Sequence, residues 1–314
     1  MKIGFITDPL DSFKIKKDST YAMMTEAVRR EHELHVMQQD DLVWKRNRVF
    51  AAMRRITLHE NPREWYSLAP VAETPLTDLD CVVMRKDPPF DVEYVTSTWL
   101  LEQAQREGAK IFNDPRALRD HSEKLAIAQF PQFTAPTLVS RSVSEVQGFI
   151  DEFADVVLKP LDGMGGQSIF RVTRNDPNRN VIVETLSNNG GQTIMAQRYI
   201  PEIRDGDKRV LVIGGKPVPH CLARIPKAGE SRGNLAAGGT GVARPLSERD
   251  LEIASALGPE LWKRGLLLVG LDIIGNFLTE INVTSPTCFQ EITDQTGFNV
   301  AGMFMDELQA ACAA

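Results

Sequence analysis

The chain has 314 residues, of which 42% are hydrophobic and 25% charged, values typical of a soluble globular protein. Disordered, collagenous and coiled-coil chains are thereby excluded. At about 100–200 residues per domain, the length predicts two or three domains. The formal net charge of -6 gives no general basic field, so we expect neither nucleic acid nor a membrane surface as a partner.

The distribution of apolar residues predicts no membrane-spanning segment and no signal peptide. The longest apolar run, at residues 266–271, stops at Asp272, well short of the roughly 20 residues that span a bilayer. The amino terminus reaches an acid at Asp8, too early for the apolar core of a signal peptide. The cysteines are widely spaced, and we expect them to be reduced. These features predict a cytoplasmic protein.

Strand and helix patterns alternate over residues 1–118, which we predict as the first domain. The predicted strands are residues 2–6, 34–37, 81–84 and 110–112. Helices are predicted between them at residues 19–30 and 92–107. This β-α-β order is typical of a mostly parallel, doubly wound sheet. Residues 40–80 have no clear period, so no element is predicted there.

Two further domains are predicted, at residues 119–200 and 201–314. The predicted helices are residues 118–130, 247–264 and 299–313, and a further one that begins at Ser142 with capping-box spacing to Glu145. The predicted strands are residues 137–140, 155–161, 169–172, 209–213 and 217–225, and one on each side of Gly275-Asn276. Residues 225–241 are rich in glycine and have little periodicity, which is typical of a mobile lid loop.

A glycine-rich loop is the first candidate for nucleotide binding. The sequence has neither a P-loop motif nor a Gly-x-Gly-x-x-Gly motif that opens a helix after a strand. Instead, Lys159 stands at a strand end before Gly163, Gly165 and Gly166. Without Cβ atoms, these positions let backbone N–H groups approach an anion. The loop is therefore a candidate phosphate site, and an ordinary hairpin tip is the alternative.

The strongest physical signal lies at residues 266–283, where polar side chains interrupt apolar runs. These are Asp272, Glu280 and Asn282. With a two-residue turn, Asp272 would oppose Thr279 and lie among aliphatic side chains. With a three-residue connection, Asp272 opposes Glu280 and Gly270 opposes Asn282, so that the polar and apolar groups occupy separate faces. The sequence favours this second register.

Two opposed carboxylates require a cation or a proton between them. Oxygen ligands without His or Cys favour a hard ion, and Mg²⁺ typically shares such a site with substrate phosphates. We therefore predict that Asp272, Glu280 and Asn282 bind Mg²⁺ beneath ATP. The alternative is a carboxylate pair that arginine neutralises without a metal.

Cationic side chains cluster around the predicted loops and suit anionic substrates or a transferring phosphoryl group. The arginines are Arg209, Arg224 and Arg232, and the amide of Asn234 lies close to Arg232 in the sequence. Arg85 follows a predicted parallel strand and so lies at the edge where doubly wound sheets bind ligands. Ser285, just after the predicted metal hairpin, offers a hydroxyl to a substrate carboxylate.

Together these segments resemble the ATP-grasp superfamily, and within it the bacterial glutathione synthetase family. The segments that carry the resemblance are residues 84–91, 158–166, 206–211, 223–226, 232–239, 271–275 and 279–287. The similarity runs from end to end. One glycine loop alone would be a weak signal, but this ordered set is specific.

The resemblance implies an α/β protein that is α+β in its carboxyl-terminal part, with an N-terminal doubly wound parallel sheet followed by a two-lobed ATP-grasp fold. It implies ATP-dependent ligation of γ-glutamylcysteine to glycine through an acyl phosphate, giving glutathione, ADP and phosphate. It also implies Mg²⁺ or Mn²⁺ as the ion, small-molecule substrates and a homotetramer.

The resemblance further implies roles for single residues. The catalytic residues would be Arg209, Arg224 and Arg232. The nucleotide would contact Lys124, Lys159, Gly163, Gly165, Gly166, Gln197, Tyr199, Ile200 and Asp207. The peptide substrate would contact Arg85, Asn234 and Ser285, and the metal would bind Asp272, Glu280 and Asn282.

Three other functions compete with this one. Another ATP-grasp carboxylate-amine ligase would share the fold and the metal site, since thiol specificity is not visible in the residue pattern. A nicotinamide-dependent dehydrogenase suits the amino-terminal β-α-β order, but the glycine fingerprint is missing and the acidic hairpin opposes it. A nucleotide-binding regulator without turnover would not need the complete set of lysines, metal ligands and lid.

Overall fold

The computed structural model describes residues 1–162, 166–227, 229, 233 and 238–313. In these residues the chain forms three β-sheets with helices packed on them, which is a mixed α/β architecture. None of the helices in the described ranges combines the length and the apolar character that crossing a bilayer requires.

The first sheet has a parallel centre. Its strands are β1 (Lys2–Ile6), β2 (Glu33–Met37), β3 (Leu42–Lys45), β4 (Arg48–Leu58), β5 (Tyr66–Leu68), β6 (Ala72–Pro75), β7 (Cys81–Met84) and β8 (Ile111–Phe112). Strand β1 runs parallel to β2 and β7, and β7 runs parallel to β8. Helices α1 (Ser19–Arg29) and α2 (Val92–Arg106) connect these strands. The predicted doubly wound centre is confirmed.

The insert at residues 40–80 extends this sheet with antiparallel strands. Strand β4 pairs antiparallel with β2, β3, β5 and β6. Its neighbour β3 is joined to it by a tight turn in which Arg46 and Asn47 have φ of 50° and 59°. The insert therefore adds an antiparallel wing to the parallel centre.

The helix predicted at residues 118–130 is wrong. Helix α3 (Pro115–Asp120) ends early, and a 3₁₀ turn at Leu125–Gln129 follows. Between them, the carbonyl oxygen of Glu123 accepts a hydrogen bond from the N–H of Ile281 at 2.8 Å. This contact with a distant strand draws the segment out of a helical conformation.

The central sheet is antiparallel, in the order β11-β10-β12-β9. Its strands are β9 (Thr137–Ser140), β10 (Asp155–Pro160), β11 (Phe170–Thr173) and β12 (Ile194–Arg198). Helices α4 (Val143–Phe153) and α5 (Arg179–Leu186) cover one face and form a separate hydrophobic core with it.

The third sheet is antiparallel, in the order β15-β14-β13-β16-β17. Its strands are β13 (Asp207–Ile213), β14 (Lys216–Ile225), β15 (Thr240–Pro245), β16 (Leu268–Ile274) and β17 (Phe277–Asn282). The helices are α6 (Glu248–Lys263), α7 (Phe289–Thr296) and α8 (Val300–Ala313). About half of the predicted lid at residues 225–241 lies outside the described residues, and the division into three domains stays a prediction.

One side chain fastens the first sheet to the third. The amide nitrogen of Asn113 donates to the carbonyl oxygens of Leu268 and Val283, both at 2.8 Å. Its amide oxygen accepts from the N–H of Leu268 at 2.9 Å. Asn113 thus links the end of β8 to the start of β16 and to the residue after β17.

Candidate active site

A cleft opens between the central sheet and the third sheet. Strands β10 and β12 supply one wall, and β13, β16 and β17 supply the other. The polar residues that line it are Glu123, Lys124, Lys159, Gln167, Gln197, Arg198, Tyr199, Asp207, Arg209, Asp272, Thr279, Glu280 and Asn282. Ionisable side chains of both signs therefore meet in one partly enclosed space.

The hairpin of β16 and β17 has the predicted pairing but not the predicted connection. Asp272 pairs with Glu280, and Gly270 pairs with Asn282, which confirms the register. The turn is nevertheless a two-residue turn, at Gly275-Asn276, because Ile274 pairs with Phe277. A bulge at Thr279 takes up the extra residue, and its hydroxyl donates to the carbonyl oxygen of Asp272 at 3.1 Å.

Two arginines hold Asp272 at the floor of the cleft. The Nε of Arg209 lies 2.6 Å from Oδ1 of Asp272, and Nη2 of Arg224 lies 2.9 Å from Oδ2. All three side chains are buried. Burial opposes ionisation, but the two arginines outweigh it and keep the pKa of Asp272 below its usual value.

Asp207 lies beside this group, but its pKa is shifted in the opposite direction to that of Asp272. Its Oδ2 is 2.5 Å from Nη2 of Arg224, and its Oδ1 has no hydrogen-bond partner among the described residues. Burial raises the pKa of Asp207 to about 7, with a further contribution from the negative charges of Asp272 and Glu280. This oxygen can therefore accept a hydrogen bond from a ligand.

A lysine from the opposite wall faces the second carboxylate of the hairpin. The Nζ of Lys159 lies 3.5 Å from Oε1 of Glu280 and 3.4 Å from the carbonyl oxygen of Thr279. Burial lowers the pKa of Lys159, and the nearby charge of Glu280 partly offsets this. A buried ammonium at the edge of a glycine-rich loop is suited to a phosphate group.

The hairpin fits a hard cation in its donor set. The amide nitrogen of Asn282 donates to the carbonyl oxygen of Gly270 at 3.2 Å, which leaves the amide oxygen for another contact. The described ranges contain no group of three or more His, Cys, Asp or Glu placed to hold a metal. The candidate set is instead two carboxylates and one amide oxygen, all suited to Mg²⁺.

One feature of this geometry agrees with the metal-free alternative. Arginine neutralises Asp272, as that alternative predicts. Both arginines contact Oδ2, at 3.3 and 2.9 Å, whereas in the described residues Oδ1 accepts only from Arg209. Because a carboxylate oxygen has two lone pairs, Oδ1 can still coordinate a metal. Glu280 faces a lysine at 3.5 Å and is more exposed than Asp272, with 21% of its side chain accessible.

Part of the cleft lining is apolar and suits a flat ring. The aliphatic residues are Val157, Ile169, Ile200, Ile203 and Ile274. Gln197 pairs with Val157 across the strands, and its amide nitrogen donates to the hydroxyl of Thr137 at 3.0 Å. The guanidinium of Arg171 stacks over the ring of Tyr199 at 3.7 Å and fixes its orientation. An apolar slot with a few polar groups at its rim is typical of a nucleobase site.

The arrangement of an apolar slot, a buried lysine and an acidic hairpin agrees with the comparisons to known families. Residues 1–119 match the model of the prokaryotic glutathione synthetase N-terminal domain, and residues 123–297 match that of the prokaryotic glutathione synthetase ATP-grasp domain. The chain belongs to the prokaryotic glutathione synthetase family.

Full-length relatives agree with this assignment. The chain is 61% identical to the glutathione synthetase of Ralstonia nicotianae over 311 residues, which cover 99% of this chain and 96% of the relative. It is 59% identical to the glutathione synthetase of Nitrosomonas europaea, with 98% of each chain covered. The chain is accordingly an ATP-dependent ligase of glutathione biosynthesis, and the dehydrogenase alternative is wrong.

Solved structures of ATP-grasp ligases share the fold. The D-cycloserine synthetase DcsG superposes with a TM-score of 0.67 at 16% identity, covering 99% of this chain and 100% of that one. The ATP-grasp ligase PsnB, complexed with a minimal precursor, Mg and ADP, gives a TM-score of 0.64 at 16% identity, with coverage of 100% and 98%. At such identities the likeness concerns the fold alone, and it confirms the predicted ATP-grasp architecture.

Most of the residues that the family resemblance singled out lie in or beside the cleft. Those that line it are Lys124, Lys159, Gly166, Gln197, Tyr199, Ile200, Asp207, Arg209, Asp272, Glu280 and Asn282. Arg224 contacts two of these side chains from β14. Gly163, Gly165, Arg232 and Asn234 lie outside the described residues.

Arg85 and Ser285 are not among the residues that line the cleft. The Nε of Arg85 donates to the hydroxyl of Thr20 at 3.1 Å, and its Nη2 donates to the carbonyl oxygen of Pro286 at 2.9 Å. Burial lowers the pKa of this arginine, and Nη1 has no partner in the described part of the chain. Ser285 is half-buried one residue before Pro286.

Glu123 is a residue of the site that the sequence pattern missed. Its Oε1 accepts from the hydroxyl of Thr284 at 2.8 Å and from the N–H of Val283 at 3.2 Å. Burial raises the pKa of this carboxyl group. The only available signal was an acid directly before Lys124, and the predicted helix over residues 118–130 concealed it.

Proposed function

We propose that the chain joins the cysteinyl carboxylate of γ-glutamylcysteine to the amine of glycine, with ATP activating the carboxylate as an acyl phosphate. Membership of the family supports the overall reaction. The observation that carries the assignment to this cleft is the pairing of Asp272 with Glu280, opposite the buried Lys159. The acids suit a metal, and the lysine suits the phosphates that share it.

We infer that Asp272, Glu280 and Asn282 hold Mg²⁺, with Mn²⁺ as an alternative ion. When bound, the ion supplies charge neutralisation for the phosphates of ATP. The hairpin contributes rigidity, because β16 pairs on both sides within the five-stranded sheet and β17 pairs with it along its length. Arg209 and Arg224 keep Asp272 ionised, so that the carboxylate is ready to bind a cation.

The nucleotide is proposed to lie with its base in the apolar slot and its phosphates over the hairpin. Lys124, Lys159 and the loop at Gly163, Gly165 and Gly166 would contact the phosphates. Gln197, Tyr199 and Ile200 would border the base. The Oδ1 atom of Asp207, which has no partner among the residues that the structure describes, would accept from a ribose hydroxyl. This orientation brings the terminal phosphate toward the arginines.

Catalysis then consists of positioning and charge neutralisation, without a protein nucleophile. The attacking carboxylate belongs to the substrate, and the leaving group is ADP. Arg209, Arg224 and Arg232 are proposed to neutralise charge on the transferring phosphoryl group, and Arg85, Asn234 and Ser285 to bind the dipeptide. Because water would hydrolyse an acyl phosphate, the loop at residues 225–241 is proposed to close before the amine attacks.

A phosphate-release assay tests this function. The full chain is supplied with ATP, Mg²⁺, glycine and a panel of acceptor dipeptides. We expect phosphate only with γ-glutamylcysteine and glycine together, and glutathione as the product by mass. Turnover with another carboxylate-amine pair, but not with this one, would instead establish a different ATP-grasp ligase. The cytoplasmic location and the homotetramer stay predictions, and size-exclusion chromatography with light scattering tests the second.

A further inference from the structure

Two cysteines that are far apart in sequence lie together in the fold. Cys81 is in β7 and is completely buried, whereas Cys312 lies in the last turn of α8 and is partly exposed. Met305, Leu308 and Cys312 recur on one face of α8 by helical spacing. Through this face, Cys312 packs against the hydrophobic cluster that contains Cys81.

Lys110 forms hydrogen bonds next to Cys81 and at Cys312. Its carbonyl oxygen accepts from the N–H of Val82, the neighbour of Cys81, at 2.8 Å. Its ammonium group donates to the carbonyl oxygen of Cys312. The helix is also held upstream, because Arg30 pairs with Asp306 at 2.6 Å. The position of Cys312 beside β7 is therefore fixed by several contacts.

The two thiols differ in exposure and in the direction in which their pKa values are shifted. Their mutual interaction is the largest influence on each, and it raises the pKa of Cys81 while lowering that of Cys312. Lys110 also favours the thiolate form of Cys312. The more acidic thiol is thus the one that a reagent can reach, and the buried thiol stands behind it.

We propose that Cys81 and Cys312 form a reversible disulfide bond when the protein meets a small-molecule disulfide. The Cys312 thiolate attacks one sulfur of the reagent, forms a mixed disulfide and releases one thiolate. The sulfur of Cys81 then attacks that of Cys312, gives up its proton and releases the second reagent thiol. Two electrons pass from the cysteines to the reagent, which leaves as two thiols. This site is independent of the proposed ligase reaction.

Peptide mapping of the full chain tests the proposal. The purified protein is incubated with glutathione disulfide, the remaining thiols are alkylated, and the protein is digested without reduction. We expect one linked pair of peptides containing Cys81 and Cys312, an intact mass lower by two hydrogen atoms, and reversal by dithiothreitol. A wild-type protein that stops at glutathionylated Cys312, or that keeps both thiols alkylatable, would overturn the proposal.

Single substitutions separate the two steps. Cys312→Ser should abolish the linked peptides, and Cys81→Ala should leave Cys312 as a stable mixed disulfide with one glutathionyl group. Cys221→Ala removes another buried thiol and serves as the matched control, so that it should keep the link. A link that persists in Cys312→Ser, or that disappears in Cys221→Ala, contradicts the assigned pair. The folded state of each variant is checked by its thermal unfolding curve.

Discussion

Two carboxylates in this chain lie beside arginines, yet their pKa values move in opposite directions. Glu26, on α1, accepts hydrogen bonds from Arg29 and Arg30, and the first of these contributes most to a pKa of about 2. Asp207 lies 2.5 Å from Arg224 in the cleft, but burial raises its pKa to about 7. An arginine at close distance therefore does not by itself decide the charge state of an acid.

The difference follows from how completely each acid is satisfied. One oxygen of Glu26 accepts from Arg29 at 2.6 Å and from Arg30 at 2.8 Å, and the other accepts from Arg29 at 2.8 Å. The Oδ1 atom of Asp207 has no partner within the described ranges. With a further contact from Asn299 at 3.4 Å, both oxygens of Glu26 have two donors, whereas Asp207 keeps an acceptor for a ligand.

The largest expected effect is on turnover, at Glu280. Glu280→Gln keeps the shape of the side chain but removes the charge that faces the proposed cation, so that kcat/KM should fall about 10²–10³-fold. Phosphate release gives the rate, and urea unfolding shows whether the fold is kept. We expect the free energy of unfolding to change little.

Glu252→Gln is the matched control, because that glutamate is exposed on α6 with 58% of its side chain accessible. It should leave turnover unchanged. A Mg²⁺ titration adds a second readout, in which Glu280→Gln needs a higher concentration for half-maximal rate. Normal turnover in Glu280→Gln would refute the metal assignment.

The next effect is on stability, at Glu26. Glu26→Gln removes a charged acceptor shared by two arginines and should lower the free energy of unfolding by about 2 kcal/mol at pH 7. Urea unfolding measures this loss, with Glu252→Gln again as the control. Because Glu26 is remote from the cleft, kcat/KM should stay at the wild-type value. If Glu26→Gln folded stably but lost turnover, Glu26 would not be the purely structural acid that the contrast with Asp207 requires.

The same substitution has a defined pH dependence. The pKa of Glu26 is lowered from 4.5 to about 2, so its ionised form stabilises the fold above pH 4.5. As the pH falls from 4.5 toward 2, this stabilisation should be lost progressively. The difference in unfolding free energy between wild type and Glu26→Gln should therefore shrink across this window. If the difference in unfolding free energy stayed constant from pH 5 to pH 3, the pairing of Glu26 with Arg29 and Arg30 would be contradicted.

Asp207 should show the opposite slope, with the smallest effect. Between pH 3.8 and about 7, the folded protein keeps a proton that the unfolded chain has lost. The unfolding free energy of the wild type should therefore fall relative to Asp207→Asn as the pH rises through this window. We expect a modest change because 13% of the side chain is exposed in the cleft. Parallel stability curves for the two proteins would show that Asp207 titrates normally.

The acidic hairpin was predictable from the sequence because polarity alternates along both strands. Only one register places Asp272 opposite Glu280 and keeps the aliphatic residues on the other face. The bulge at Thr279 was not predictable, since periodicity counts faces and cannot show where an extra residue is inserted. The correct pairing was thus inferred together with the wrong connection.

Long-range contacts explain the two main failures. Residues 118–130 have a helical pattern, but the backbone hydrogen bond between Glu123 and Ile281 joins segments far apart in the sequence, and local propensity cannot indicate it. Strand β4 of the insert pairs along both edges and with four partners, so its burial does not follow one simple alternation. The first failure concealed Glu123, which is one of the acidic residues that line the cleft.

The hydrogen bonds of the Asn113 side chain oppose movement of the first sheet against the third. Shearing the first sheet against the hairpin would break three buried hydrogen bonds, each worth about 0.5–1.5 kcal/mol. The central sheet, by contrast, carries its own core on its helical face. Loading of ATP and departure of ADP should therefore proceed by a swing of the central sheet over a platform that the other two sheets form as one unit.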